Sequence, residues 1–400
     1  MNFPRILKKR KGYIDRIKPF MQKSVAKVLT GQRRVGKSFL LYQLIEEILA
    51  EEPDANIIYV NLEDFTFSSL QTAEDLHSYI ISHSKEKAKN YIFIDEIQDI
   101  PGFEKVIRSL LLNEDNDIYI TGSNAKMLSG ELATYLSGRY IEFKIYSLSY
   151  SEFLEFHGLT ESETSYELYS RYGGLPYLLN LPLEDETVNE YLKSVYSTIV
   201  FRDVVSRYKL RNTLFLEKLI QFLSENIGNL FSAKNISDYL KSQHTTISVN
   251  QIQSYTEYLN NAFLIHRVER YDLIGKRVFE IGEKYYFENM GIRNIVIGYR
   301  ITDKAKILEN LVYNHLLYKG YDIKVGYYGD KEIDFIGEKN GEKLYIQVAL
   351  KIDGDTAERE FGNLLKIQDN YPKIVLTEDT FSGNSYEGIR HCPIRQFLME

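Results

Sequence analysis

Apolar residues in the first 150 positions follow two alternating rhythms. Short runs rich in β-branched and aromatic residues stand at 24–30 (SVAKVLT), 57–62 (IIYVNL), 91–95 (YIFID), 118–122 (IYITG) and 140–145 (YIEFKI). Each is too short for a helix and reads as a strand buried on both faces. Between them apolar positions recur every three to four residues. Leu40, Leu41, Leu44, Ile45 and Ile48 share one helical face from Ser38 to Leu49, and helical stretches recur near 72–83 and 103–112. Pro53 and Asp54 break the first helix. Strand and helix alternating in this way predict an α/β fold, a parallel sheet with helices on both faces, ending near residue 148.

The rhythm then changes. Residues 149–210 read as helices broken once, at Tyr172-Gly173-Gly174-Leu175-Pro176. Residues 212–270 predict three helices and then strands. Leu216, Leu219, Ile220, Leu223 and Ile227 line the first helix, and Ile252, Tyr255 and Leu259 line the third, from Val249 to Asn261. Beyond about 300, a helix over 304–318 leads into several strands and a last helix over 356–368. The expected domains are 1–148, 149–210, 211–290 and 291–400.

Composition narrows the class. Apolar residues make up 44% and charged residues 26% of the 400, the profile of a folded globular chain rather than a disordered one. The single cysteine, Cys392, excludes an internal disulfide framework. No apolar run approaches the roughly 20 residues of a membrane span, so the expectation is a cytoplasmic protein without membrane contact. The net charge is −7 but unevenly spread. Residues 1–37 hold twelve Lys or Arg against the one acid Asp15, a balance of +11 that leaves −18 elsewhere. A basic arm that includes Lys8, Lys9, Arg10 and Lys11 can meet DNA, a nucleotide or an acidic partner.

The chemistry begins at Gly31-Gln32-Arg33-Arg34-Val35-Gly36-Lys37-Ser38, a G-x-x-x-x-G-K-S run between a strand and a helix. Its glycines let consecutive backbone N–H groups turn toward phosphate oxygens, and the following helix, with Phe39 in its first turn, presents its N-terminus to the same anion. Lys37 reaches the β- and γ-phosphates of ATP, and the Ser38 hydroxyl binds Mg²⁺. The strand at 91–95 ends in Asp95 and Glu96. Asp95 is placed to hold the Mg²⁺ hydration shell, and Glu96 to polarise the attacking water. Ser123 or Asn124, after the next strand, fits a contact to the γ-phosphate and the water. Glu63 opens on the same edge.

This ordered set resembles the prokaryotic AAA-type P-loop ATPases, of the STAND and archaeal-ATPase group, that carry a C-terminal domain of unknown function. The residues that carry the resemblance are GQRRVGKS, IDEIQ at 94–98, TGSN at 121–124, Leu136-Ser137-Gly138-Arg139 and Leu148-Ser149-Tyr150-Ser151-Glu152-Phe153. It implies a helical lid, a winged helix, and roles for Arg139 as a γ-phosphate contact, in cis or from a neighbouring subunit, and for Pro176 as an edge beside the adenine. The exposed positions of the third helix, Asn250, Gln251, Gln253, Ser254 and Glu257, include no cation, which disfavours DNA reading there.

The C-terminal residues resemble the restriction-endonuclease-like (PD-(D/E)xK) fold. Glu309 on a helix, Asp334 on a strand and Gln347-Val348-Ala349 on the next follow that motif order. Ala349 stands where the motif has a lysine, and Lys351 is the nearest replacement on the same strand face. The expectation is a nuclease-like fold whose chemistry is degenerate. Three functions follow: an ATP-hydrolysing conformational switch, an ATP-licensed DNA-processing nuclease, and an ATP-bound scaffold for an unidentified protein partner, with oligomerisation open to each.

Overall fold

The five short apolar runs of the first 150 residues all become strands. The computed structural model describes residues 8–125, 135–136, 138–242, 247–275, 282–329, 331–352, 354–378 and 385–400, without the side chains of 354–359. Of the expected Leu136–Arg139 motif, Ser137 lies outside the described residues. The chain forms two compact units, Met1–Ser147 with Asn261–Phe263, and Leu148–Asn260 with Leu264–Glu400.

The first unit is built on β1 (Ala26–Thr30), β2 (Asn56–Asn61), β3 (Asn90–Asp95), β4 (Asn116–Gly122) and β5 (Tyr140–Lys144), in the spatial order β2-β3-β4-β1-β5. Every neighbouring pair is parallel. β4 therefore lies between the strand before the glycine loop and the strand that ends in Asp95. The core is a slab of Val28, Ile58, Val60, Ile92, Ile94, Ile118 and Ile120 under Leu76, Ile80, Val106, Ile107 and Leu110 of the helices Ala73–His83 and Phe103–Leu110. Each fully buried side chain of this kind contributes about 1.5–3 kcal/mol. Thr72 and Asp75 close a reciprocal capping box at the first of these helices. Because all five strands run the same way, their C-terminal ends share one edge, where parallel α/β sheets bind ligands.

The second unit holds the helices predicted over 149–210, then Thr213–Glu225, Ala233–Ser242 and Val249–Asn261. The last of these buries Ile252, Tyr255 and Leu259 as its spacing predicts. A hairpin follows, β6 (Ile265–Asp272) antiparallel to β7 (Glu283–Phe287), with Phe231 bridged to Glu283. The remaining strands are β8 (Asp322–Tyr328), β9 (Lys331–Lys339), β10 (Glu342–Ala349), β11 (Lys373–Thr377), β12 (Ser385–Tyr386) and β13 (Ile389–Pro393). They form one eight-stranded sheet, ordered β12-β13-β11-β10-β9-β8-β6-β7. The end of β6 pairs in parallel with β8, Arg270 opposite Val325, so the sheet runs across the expected boundary at residue 290. The helix Lys304–Tyr318 falls where predicted, and the last long helix is Gly354–Leu365.

Candidate nucleotide-binding site

Gly31 leaves β1 and starts the loop. A Cβ there would lie 2.1 Å from the Ile145 carbonyl oxygen, so only glycine permits the approach. Gly36 adopts φ +95° and caps the helix Lys37–Glu51. Val35 is buried, and Gln32 donates its side-chain amide to the Phe263 carbonyl at 2.8 Å. Gln32 thus serves the loop through its backbone. Lys37 is buried and donates to the carbonyls of Gly31 and Gln32, both at 3.0 Å. Its ammonium is held over the loop it would share with phosphate. Arg34 takes a left-handed φ of +71° with an exposed side chain, and Phe39 is 46% exposed one step past Ser38.

The acids meet this loop from β3. Asp95 accepts the Thr121 hydroxyl and, at 3.4 Å, the Tyr59 hydroxyl. Burial raises the Asp95 carboxyl above its ordinary range, partly offset by hydrogen bonds from Ser38 and Thr121 and by the charge of Lys37. Ser38 and Asp95 are thus neighbours, a hydroxyl and a carboxylate of the hard-oxygen type that suits Mg²⁺. Glu96 takes a left-handed φ of +58° immediately after the strand, and its N–H donates to Thr121 Oγ1 at 2.9 Å. Its carboxylate lies 3.9 Å from Lys37 Nζ and accepts Gln98 Nε2 at 2.6 Å. Burial pushes the Glu96 carboxyl up, but the charges of Lys37 and Arg33 and the Gln98 bond outweigh it and hold it below its usual value. Arg33 is paired with Glu63 at 2.9 Å. Ser123 and Asn124 are buried directly after β4, on the same edge.

Two predicted residues, Arg139 and Arg10, are placed elsewhere in the first unit, and Pro176 belongs to the second. Arg139 is exposed, and its carbonyl accepts the N–H of Ala26 at 2.9 Å, at the start of β1 rather than its end. One strand of about 3.3 Å per residue separates that edge from the loop, so the structure does not bring Arg139 to the nucleotide site of its own chain. Pro176 opens the short helix Pro176–Asn180 in the second unit. The glycines before it have a packing reason: a Cβ on Gly173 would meet the Asn289 side chain at 2.4 Å, and one on Gly174 the Leu148 carbonyl at 2.4 Å. Arg10, taken as part of a free basic arm, is buried. It donates to the carbonyls of Val35, Tyr146 and Ser147 at 3.2, 2.8 and 3.3 Å. Lys9 and Lys18 share the carboxylate of Glu47.

In the second unit, Glu309 and Asp334 do come together, around Lys284 of β7. The register Ile346–Phe335 sets Gln347 beside Asp334, whose carboxylate accepts the Val348 N–H at 2.8 Å. Lys351 is exposed, past the end of β10.

Sequence alone did not single out Thr121 as the link between the two acids, nor Tyr59 and Lys284. Thr121 sits in the TGSN motif and was legible as a polar residue ending an apolar strand; Tyr59 reads as core.

Residues 23–154 match the family model of an AAA domain, and residues 163–303 that of a domain of unknown function. The chain is 38% identical over 403 residues to an uncharacterized protein of Haemophilus influenzae, covering 98% of each. It is 30% identical over 351 residues to an uncharacterized protein of Methanocaldococcus jannaschii, covering 84% of this chain and 76% of that one. Among solved structures, the Walker-type ATPase of Pyrococcus abyssi superposes with a TM-score of 0.50 at 16% identity, over 73% of this chain and 96% of that chain. That likeness bears on the fold alone: with the AAA-domain match at 23–154, the first unit has the P-loop α/β fold. Among the described residues, no helix is long and apolar enough to cross a membrane.

Proposed function

Because the chain belongs to one family with the Haemophilus influenzae and Methanocaldococcus jannaschii proteins and carries a P-loop ATPase domain, we propose that it binds ATP with Mg²⁺ and hydrolyses it as a conformational switch. The observation that supports this best is the convergence of Lys37, Ser38, Asp95, Glu96 and Thr121 at one sheet edge. The backbone N–H groups of the glycine loop and the Lys37 ammonium bind and orient the phosphates. Ser38 and Asp95 are the residues that would hold Mg²⁺, which when bound neutralises charge on the phosphate oxygens. Glu96, ionised between Lys37 and Gln98, accepts a proton from water, and Ser123 or Asn124 holds that water against the γ-phosphate. ATP binding and turnover by the wild type, Lys37→Ala and Glu96→Gln test the reading. Absence of turnover in a wild type that binds ATP would leave only the ATP-bound scaffold.

We further propose a plan of ATPase core (1–148) and, within the second unit, helical lid (149–210), winged helix (211–290) and nuclease-like part (291–400), the last two sharing the sheet that crosses residue 290. Three helices, the hairpin β6–β7 and the Phe231–Glu283 bridge support the winged helix. The meeting of Glu309 and Asp334 supports the nuclease-like reading. Pro176 is proposed beside the adenine, and Arg139 as a contact supplied to a neighbouring subunit. DNA is the proposed polyanionic partner, met through Lys8, Lys9 and Lys11 rather than through Arg10, which is committed to the fold. The buried thiol of Cys392 fits a reducing, cytoplasmic setting.

A further inference from the structure

A second group of ionisable side chains lies far along the sequence from the phosphate loop and surrounds Lys284. The Lys284 side chain is 3% exposed, on a strand buried along nearly its whole length. Its Nζ lies 2.7 Å from Glu332 Oε1, 2.9 Å from Glu309 Oε1 and 3.9 Å from Asp334 Oδ1. The three carboxylates come from two other elements, the helix Lys304–Tyr318 and β9. Each of the two motif acids has a further fixed donor. The Tyr286 hydroxyl donates to Glu309 at 2.5 Å, and the Val348 N–H donates to Asp334 at 2.8 Å. Gly228 backs the group: a Cβ there would lie 2.9 Å from Glu309 Oε2.

A buried ammonium is unfavourable unless paired and hydrogen-bonded, and so are buried carboxylates. Here the carboxylates satisfy Lys284, whereas burial and the charge of Glu309 raise the Asp334 carboxyl well above its ordinary range in spite of Lys284. Burial alone would push the Lys284 ammonium toward its neutral form, but Glu309, Asp334 and Glu332 outweigh burial and hold it protonated. An ammonium donates three hydrogen bonds at about 2.8 Å, whereas a small divalent ion draws oxygens to about 2.0–2.1 Å in an octahedron. Glu332 Oε1 and Glu309 Oε1 stand at ammonium hydrogen-bond distances, and Asp334 Oδ1, at 3.9 Å, is an ion-pair neighbour beyond them. Among the described residues, no group of three or more acids, histidines or cysteines is arranged to hold a metal. The cation sought on the sequence at Ala349 or Lys351 comes instead from a strand outside the nuclease motif.

We propose that Lys284 is the resident cation of this acidic cluster, standing where a divalent metal would and closing the Glu309–Asp334 pair to metal. The cluster is then an ion lock that pins the hairpin strand β7 to the helix Lys304–Tyr318 and to β9. The proposal stands independently of the nucleotide reading.

The test uses the full-length protein without nucleotide, in a Mn²⁺ titration followed by electron spin resonance and in thermal unfolding with and without Mn²⁺. Wild type and Asp334→Asn should show the same weak Mn²⁺ background, and Mn²⁺ should leave the wild-type midpoint unchanged. Lys284→Met removes the ammonium at similar length and leaves the acids unshielded. It should unfold at lower temperature, regain stability with Mn²⁺, and bind Mn²⁺ at least about tenfold more tightly than wild type, the scale on which neighbouring groups alter metal affinity. That gain should vanish in the Lys284→Met, Asp334→Asn double variant. Wild-type Mn²⁺ binding that Asp334→Asn abolishes would overturn the proposal, and this arm decides the matter even where Lys284→Met does not fold. A folded Lys284→Met that gains no Mn²⁺ binding would overturn it as well.

Discussion

The hydroxyl of Thr121 donates to the carboxylate of Asp95. The same oxygen accepts the backbone N–H of Glu96 at 2.9 Å. One side chain on β4 thus fixes both acids at the end of β3, which it can do because β4 lies directly beside β3. The left-handed turn at Glu96 is held at its N–H by this contact.

Thr121→Val should therefore slow ATP hydrolysis more than it weakens ATP binding. It leaves the Glu96 N–H without its acceptor at a buried position, a cost of about 1–3 kcal/mol in stability. Thr121→Ser keeps the oxygen and should restore the rate. Parallel measurement of ATP affinity and kcat in both variants checks this; equal losses in affinity and rate would show that Thr121 shapes only the loop.

Glu96→Gln should bind ATP as the wild type does but hydrolyse it about 10²–10⁴-fold more slowly, the range for a lost general base. The amide keeps the shape of the side chain and removes the charge that Lys37 and Arg33 stabilise. Single-turnover rates at saturating ATP check it, and a wild-type rate would move the base elsewhere.

At the N-terminal end, basic residues should divide into two kinds. Arg10→Met removes three hydrogen bonds to buried or half-buried carbonyls and should lower stability by about 2–4 kcal/mol. Neutralising Lys8, Lys9 and Lys11 together should leave the unfolding midpoint nearly unchanged. It should weaken DNA binding alike for all sequences and flatten its salt dependence, since phosphate contacts carry no base information. Salt titrations of DNA affinity, with unfolding curves beside them, separate the two kinds; an unchanged salt slope in the triple variant would remove the basic segment as the DNA contact.

Stability should fall on mild acidification because of His315. Burial first, and then Lys319, push its pKa down to about 3 from the ordinary 6.5. Its Nδ1 has no hydrogen-bond partner among the described residues. The folded state therefore holds this ring neutral while the unfolded chain protonates it below 6.5. Stability is complete above that pH and is lost as pH falls from 6.5 toward about 3, by up to about 1.4 kcal/mol per pH unit. Urea unfolding of wild type and His315→Leu between pH 7 and 4.5 checks the sign, the variant showing the flatter slope.

Particular residues show how far the sequence could be read. The helix at 304–318 and the third helix of the three-helix segment were legible because their apolar faces are regular. So were the strands of the first unit, all short and apolar. The phosphate loop with Asp95 and Glu96 was legible as a motif in its strand–helix setting. Arg139 was placed by motif order, but parallel register puts it at the opposite edge from the loop. Arg10 lies in a run of lysines, so nothing local marks it as buried. Lys284 stands between Glu283 and two tyrosines and reads as an ordinary strand lysine. Its partners lie 25 to 50 residues further on and meet it only through the packing of the second unit. The joining of β6 to β8 is likewise long-range, and no local pattern announces it.

The measurement closest to the central claim is calorimetric titration of ATP with Mg²⁺ into wild type and Lys37→Ala, followed by phosphate release from the same samples. Lys37 sits buried over the loop, between the Gly31 and Gln32 carbonyls and near Glu96. The wild type should show saturable binding and turnover, and the variant should lose binding or turnover while its fold is retained. Equal ATP affinity and equal turnover in the two proteins would contradict that claim.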